Sequence, residues 1–232
     1  SPFTKISSNQ RVLTMAALLH LDSEDNSLLA SLIENSPYGA TTWIKHYLSA
    51  YLSPLLHCFY QYEFVFMPHG ENLIMVLEEH TPVYVLMKDI TEEVIVFNTK
   101  MELPEHVNRL FTETTDTMKV LSIFTDVFDC FFRFMAVQLD TQIGFSEHNF
   151  WQLVAECIYE YQDEFPQFKE KYERYDLFVD EFDRCCLNRL QLSNTKQMLD
   201  LADPIESLKL VGTLENPLAK FRNERISANI IS

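Results

Sequence analysis

The chain has 232 residues with 47% hydrophobic content, 34 acidic against 18 basic side chains and a formal net charge of −16. That is enough apolar sequence for one large core or two small ones, while so strong a negative surplus argues against a nucleic-acid or anionic-membrane surface, both of which require clustered positive charge. Apolar runs are interrupted by Asp, Glu, Arg or Pro before they reach the ~20 residues of a membrane crossing, and no signal peptide is visible, so a cytoplasmic protein is expected.

In chain order, Ser7-Ser8-Asn9 offer a cap for an apolar helical stretch from Arg11 to His20, and Asp22-Ser23-Glu24 open a short helix through Leu28, Leu29, Leu32 and Ile33. A long helix starts at Ala40-Thr-Thr-Trp43 and carries Tyr47, Leu48, Tyr51 and Leu52; Pro54 should kink or break it near Ser53. His57, among Leu55, Leu56, Phe59 and Tyr60, reads more readily as a satisfied core residue than as a ligand. Two apolar runs then flank Glu79-His80-Thr81-Pro82, a polar break that joins them as an antiparallel hairpin. A short helix near Glu105 to Phe111 precedes the most apolar helix, Asp116 to about Leu139, whose few charges are Asp126, Asp129 and Arg133. Amphipathic helices are expected from Glu147 to Phe165 and from Tyr175 to Leu192, and the tail after Pro217 is polar. The fold class is α+β: a small antiparallel sheet packed on helices, 1–115, followed by a mostly helical region, 116–232.

The hairpin concentrates polar chemistry inside apolar sequence. If Glu78 pairs with Val83, counting back sets Asn72 opposite Asp89 and Glu71 opposite Lys88. An Asn amide oxygen and an Asp carboxylate on one sheet face, roughly 4.5–5.5 Å apart at Cβ, could share a hard cation such as Mg2+. Strand alternation would then send Lys88 to the other face, as a partner of Glu71. His69 and Glu71 flank Gly70, which has no Cβ to keep a ligand from the backbone. A surface hairpin with a merely polar turn is the plainer alternative. Arg133 can pair with Asp129 one turn away or present its fork to a substrate carboxylate. Cys58, Cys130, Cys157, Cys185 and Cys186 read as reduced core thiols.

Three segments, Pro54-Leu-Leu-His57-Cys-Phe-Tyr60, Phe66-Met-Pro-His69-Gly-Glu71-Asn72 and Met87-Lys88-Asp89-Ile90-Thr-Glu-Glu93, resemble the carboxy-terminal half of the aerobactin-type siderophore synthetases that work without a peptide-synthetase template. The likeness extends from about Arg11 to Pro217 through Leu121-Ser-Ile-Phe-Thr-Asp126-Val-Phe-Asp129, Cys186-Leu-Asn188-Arg189-Leu-Gln191-Leu and Leu210-Val-Gly212-Thr-Leu-Glu-Asn216-Pro. Glu71, where many aerobactin-type members carry Gln, is shared with the desferrioxamine-type and alcaligin-type hydroxamate branch. The resemblance implies ATP-dependent amide synthesis through an acyl-adenylate, from carboxylate and hydroxamate-bearing amine substrates. It places Asn72 and Asp89 at Mg2+ and the triphosphate, Glu71 and Lys88 at the nucleotide, His69 at the reacting carboxylate, and Arg133 and Arg189 as carboxylate anchors. It also implies an amino-terminal lobe with further phosphate-binding residues, without which this piece is inactive; the opening Ser1-Pro-Phe, with no initiator Met, fits an excised piece. A homodimer is compatible with it. Two rivals stand beside this reading: a ferric-siderophore binding or reductase-like (FhuF-like) domain, and a helical dimerisation module. An iron–sulfur reductase needs four thiolates, and the closely spaced second cysteine pair it would require is absent after Cys186.

Overall fold

The computed structural model describes residues 6–66, 68, 70–88, 94–111, 113–185 and 210–222. Its contacts fall into two units, Ser1–Leu177 and Phe178–Ser232, a division later than the boundary at 115/116 expected from the sequence.

The first unit is assembled on helix α2 (Ala40–Tyr62), whose buried stripe of Trp43, Tyr47, Leu48, Tyr51, Leu55 and Phe59 recurs at three- and four-residue spacing. Pro54 does not end this helix. Losing one N–H removes one hydrogen bond, but Tyr51 and Leu52 before it and Leu55 and Leu56 after it stay in phase on the buried face, so packing carries the helix through. The chain leaves at Glu63, in the left-handed region at φ 53°. Helix α1 (Leu28–Asn35) is capped by Ser27, whose Oγ accepts from the Ala30 N–H, rather than by the expected Asp22-Ser23-Glu24. Asp22 closes a turn of its own, accepting from the N–H groups of Glu24 at 2.8 Å and Asn26 at 2.9 Å.

Where a helix is expected over Arg11–His20, the structure has strand β1 (Gln10–Thr14) and a 3-10 turn, Met15–Leu19. β1 pairs antiparallel with β3 (Leu73–Glu78), which pairs in turn with β4 (Thr81–Met87), giving the sheet order β1-β3-β4. Pairing with a strand so distant in sequence overrides the local helical spacing. A second ribbon joins β2 (Phe64–Phe66) to β5 (Val94–Val96).

The helical layer runs through α3 (Asp116–Ser122), a ten-residue π-helical stretch Ile123–Phe132, and α4 (Arg133–Ile143), which closes on Gly144 at φ 67°. The buried residues of the π stretch come in doublets, Ile123-Phe124, Val127-Phe128 and Phe131-Phe132. Their four-residue repeat falls between the 3.6-residue α-helical turn and the wider π turn, and all six side chains are buried. Helix α5 (Glu147–Glu164), capped by Ser146, packs on α2 and α4, and the short α6 (Lys169–Arg174) follows. At its N-terminus α3 is tied to α6 by Asp116, which accepts from Arg174 at 2.7 Å; that bond, more than the one from Lys119, holds the Asp116 carboxyl below its usual range. The second unit, within its described residues, is a strand pair, β6 (Glu181–Cys185) with β7 (Leu210–Glu215), over Phe182, Leu218 and Phe221. The helix expected over Tyr175–Leu192 is therefore corrected at Glu181–Cys185, where cross-strand pairing sets the conformation. Antiparallel sheets beside packed helices make the architecture α+β, as expected.

Phe132 is fully buried and makes edge or tilted contacts with Tyr47, Tyr51, Phe150 and Trp151. Phe132→Ala is expected to lower unfolding stability by about 3–5 kcal/mol, read from the urea midpoint; a loss under about 1 kcal/mol would show that the aromatic layer is not the core.

Candidate active site

The loop that enters β3 is held by backbone contacts. Gly70 lies so close to the Met15–Leu19 turn that an added Cβ would stand 2.8 Å from both Cα and N of Ala16, and the Ala16 N–H donates to the Gly70 carbonyl at 2.9 Å. Two residues earlier, the Pro68 carbonyl accepts from the Tyr51 hydroxyl at 2.9 Å. Burial, and next to it the Asp126 carboxylate, pushes the Tyr51 phenol far above its ordinary pKa, so it remains a neutral donor. At the other end of the hairpin the Trp43 indole N–H donates to the His80 carbonyl at 2.9 Å. Helix α2 thus grips both ends.

The register differs by one residue from the expected one. The turn consists of Glu79 and His80 alone, both left-handed at φ 47° and 64°, as a two-residue type I′ turn requires. Thr81 and Pro82 belong to β4, where an edge position spares the proline a missing ladder bond. An irregularity between Val76↔Tyr84 and Leu77↔Pro82 leaves Val83 unmatched, and beyond it Leu73 faces Met87. Asn72 therefore stands across from Lys88, whose N–H donates to the Asn72 carbonyl at 3.0 Å. Cross-strand partners share a face, so Lys88 joins Asn72 on the side from which the sequence reading removed it. Asn72 is 6% exposed, whereas Glu71 and Lys88 are exposed. Glu71 is correspondingly not the residue across from Lys88. His69, Asp89 and Arg189 lie outside the described residues.

On the opposite face, Leu73, Val85 and Met87 meet Tyr51, Pro54, Leu55 and Cys58 of α2 around an apolar cavity of about 310 Å³, with Phe64 completing its lining. It offers no charged group, so it is a wall behind the loop rather than a seat for an anion. Arg133 is about half exposed and pairs with Asp129 at 3.0 Å, its guanidinium lying over Phe134. The internal ion pair expected for it is present, and its outer edge is open to solvent. Arg11, in β1, is exposed. His57 is half-buried, sharing a 3.3 Å hydrogen bond with the Tyr161 hydroxyl and packing on Phe165, in keeping with a core residue. Burial pushes the thiols of Cys58 and Cys157 up, that of Cys157 to about 12. Among the described residues no group of three or more His, Cys, Asp or Glu is placed to hold a metal. Tyr51 and Ala16 escaped the sequence reading because neither carries a motif: one looked like core, the other like helix.

Residues 41–200 match the family described as ferric iron reductase FhuF-like transporter. The chain belongs to that family. Putrebactin synthase of Shewanella sp. (strain MR-4) is 51% identical over 229 residues, which cover 99% of this chain and 36% of that protein. The petrobactin biosynthesis protein AsbB of Bacillus anthracis superposes with a TM-score of 0.82 at 18% identity, covering 98% of this chain and 39% of that one. ATP-bound aerobactin synthetase IucA of Klebsiella pneumoniae superposes with a TM-score of 0.63 at 15% identity, covering 89% and 36%. The FhuF-like chain therefore spans little more than a third of these relatives, and it shares their fold. Its resemblance to siderophore synthetases, seen first in the hairpin motifs, holds across nearly its whole length.

Gly70→Ala should cost about 1–3 kcal/mol in thermal or urea unfolding, because the clash is with backbone that cannot rotate away; an unchanged midpoint would show the contact to be loose. With its thiol at about 12, Cys157 should alkylate with iodoacetamide at pH 8 on the order of a thousandfold more slowly than a free thiol, measured by mass spectrometry.

Proposed function

We propose that this chain is the carboxy-terminal catalytic portion of an ATP-dependent carboxylate–amine ligase that makes amide bonds in a hydroxamate siderophore. The observation that carries the reading is the juxtaposition of Asn72 and Lys88 across the open end of the hairpin, in a chain aligned along 99% of its length with a relative named a synthase. On a chain of net charge −16, an ATP triphosphate needs local positive groups, and Lys88 supplies one where the loop is most firmly held. The substrate carboxylate attacks the α-phosphorus, the bond to pyrophosphate breaks, and the amine nitrogen then attacks the acyl carbon, loses a proton to water and expels AMP. Asn72 and Lys88 would orient the phosphates and stabilise negative charge as it develops; Glu71 would meet the nucleotide and His69 the reacting carboxylate. The register sets Lys88 rather than Asp89 across from Asn72, so the Mg2+ site rests on the resemblance alone: Asn72 and Asp89 would hold the ion, which would neutralise phosphate charge and commonly keeps waters and phosphate oxygens as its other ligands. Arg133 and Arg189 are the carboxylate anchors in this reading.

Beside the palm-like region, 1–115, and the thumb-like region, 116–232, as the family divides them, a lobe from elsewhere in the protein would bring phosphate donors to the second side of the triphosphate; alone, this portion would fold without turning over. A cytoplasmic enzyme, active as a homodimer, completes the proposal. None of the helices among the described residues is long and apolar enough to cross a membrane.

In the complete protein, Asn72→Ala should lower kcat for AMP release dependent on carboxylate and amine by about a hundredfold. Lys88→Ala should raise KM for ATP roughly tenfold. Unchanged synthesis in both variants would favour an inert hairpin in a dimerisation module, and iron with a visible absorption band in the pure protein would favour a reductase.

A further inference from the structure

Tyr51 has no counterpart in the site drawn from motifs, yet it makes a buried side-chain bond to the loop that leads into it. Its ring is 1% exposed, packed against Tyr47 and edge-on to Phe132, so the hydroxyl has little freedom to choose another acceptor. It donates to the Pro68 carbonyl at 2.9 Å. Two residues on, the Gly70 carbonyl is taken by the Ala16 N–H at 2.9 Å, and two residues further the Asn72 carbonyl is taken by the Lys88 N–H at 3.0 Å. Carbonyls at alternate positions are thus pinned from three different places: α2, the Met15–Leu19 turn and the residue that follows β4. The Ala16 and Lys88 bonds are short-range backbone contacts that follow from the sheet and the turn. The Tyr51 bond depends on one side-chain oxygen.

We propose that Tyr51 is a positioning residue of the ligase site, its buried hydroxyl holding the Pro68 carbonyl so that Glu71 and Asn72 are delivered to the open end of the hairpin in register with Lys88. This rests on the ligase reading given above. Tyr51 touches no substrate; it acts through the loop. Displacing catalytic groups by about an ångström can cost on the order of a hundredfold in rate, so losing one pin of three should be visible in turnover before it is visible in the fold.

The test is Tyr51→Phe in the complete protein, matched against Tyr60→Phe. Tyr60 lies on the same helix, is equally buried and donates its hydroxyl to a backbone carbonyl, that of Tyr175, at 2.8 Å, so the two variants lose the same kind of bond at different places. Amide hydrogen exchange and steady-state kinetics are measured on both. The expected result is that Tyr51→Phe loses exchange protection at the Ala16 and Lys88 amides and about tenfold in kcat per folded molecule, while KM for the amine substrate holds. Tyr60→Phe should keep both the protection and kcat. Retained protection in Tyr51→Phe overturns the proposal, and so does lost protection with unchanged kcat, or an equal loss of kcat in the two variants. A wild-type protein that forms no amide overturns the ligase reading and the positioning role with it, whereas an active wild type with an equally active Tyr51→Phe overturns the positioning role alone.

Discussion

The backbone of Gly70 lies so near that of Ala16 that no Cβ fits between them, and the three-stranded sheet adjoins that contact. A side chain at Gly70 would press the loop away from the Met15–Leu19 turn, which directly follows β1. Because β1 and β4 both pair on β3, a shift of the loop would be passed to the whole three-stranded sheet. Packed interiors have low compressibility and transmit strain, so a clash at Gly70 would be felt through the sheet rather than absorbed at the loop. The hydrogen bond between Ala16 and Gly70 satisfies two polar groups that the close approach has taken from water.

Around that contact the electrostatic problem is one of scarcity. The chain carries far more carboxylates than cations, and among the described residues several positive groups are already engaged: Arg174 and Lys119 by Asp116, Lys171 by Glu63, Arg133 by Asp129. An apolar cavity lies on one face of the hairpin and the Asn72–Lys88 pair on the other. An anion entering the second face meets donors backed by a low-dielectric wall, where each hydrogen bond is stronger than it would be in water. The excess negative charge elsewhere works against capture at long range, which is why fixed donors at short range matter more here than overall steering.

The long amphipathic helices α2 and α5 and the existence of the hairpin were legible in the sequence, since each is set by local spacing of apolar residues and by a strong turn. The strands β1 and β6 were not. Both have partners far away in the chain, and their own residues, Val12 and Leu13 in one and Phe182 in the other, fit a helix as readily as a strand. Of the candidate site, the hairpin that carries it was legible and the facing pairs across it were not. Motif resemblance picked out Glu71, Asn72 and Lys88, but counting across the break assumed a four-residue turn and an unbroken ladder; the two-residue turn moves the facing pairs by two, the unmatched Val83 moves them back by one, and the net slip is one. A slip of one residue exchanges the two faces of a strand, so the error fell on the chemistry rather than the fold: it removed Lys88 from Asn72's side. Tyr51 shows the other limit. Its hydroxyl was invisible behind an apolar helical stripe, and only the path of the loop makes that oxygen matter.

The π-helical stretch bears on how Arg133 can act. Its three aromatic-rich doublets are buried, and Asp129 and Arg133 stand at the boundary where π winding returns to α, one nearly buried and the other half in solvent. Asp129 contacts Nη1 of the guanidinium, and an arginine has five donors in a planar fork, so part of its edge stays available to an incoming carboxylate. Such a carboxylate would not meet a bare cation. It would share one whose charge is already partly compensated, and its gain would be the difference between two carboxylate contacts rather than the full value of one. In the proposed ligase an anchor of that kind would bind weakly and release readily, and its Asp129 partner would keep the charge compensated once the product had left.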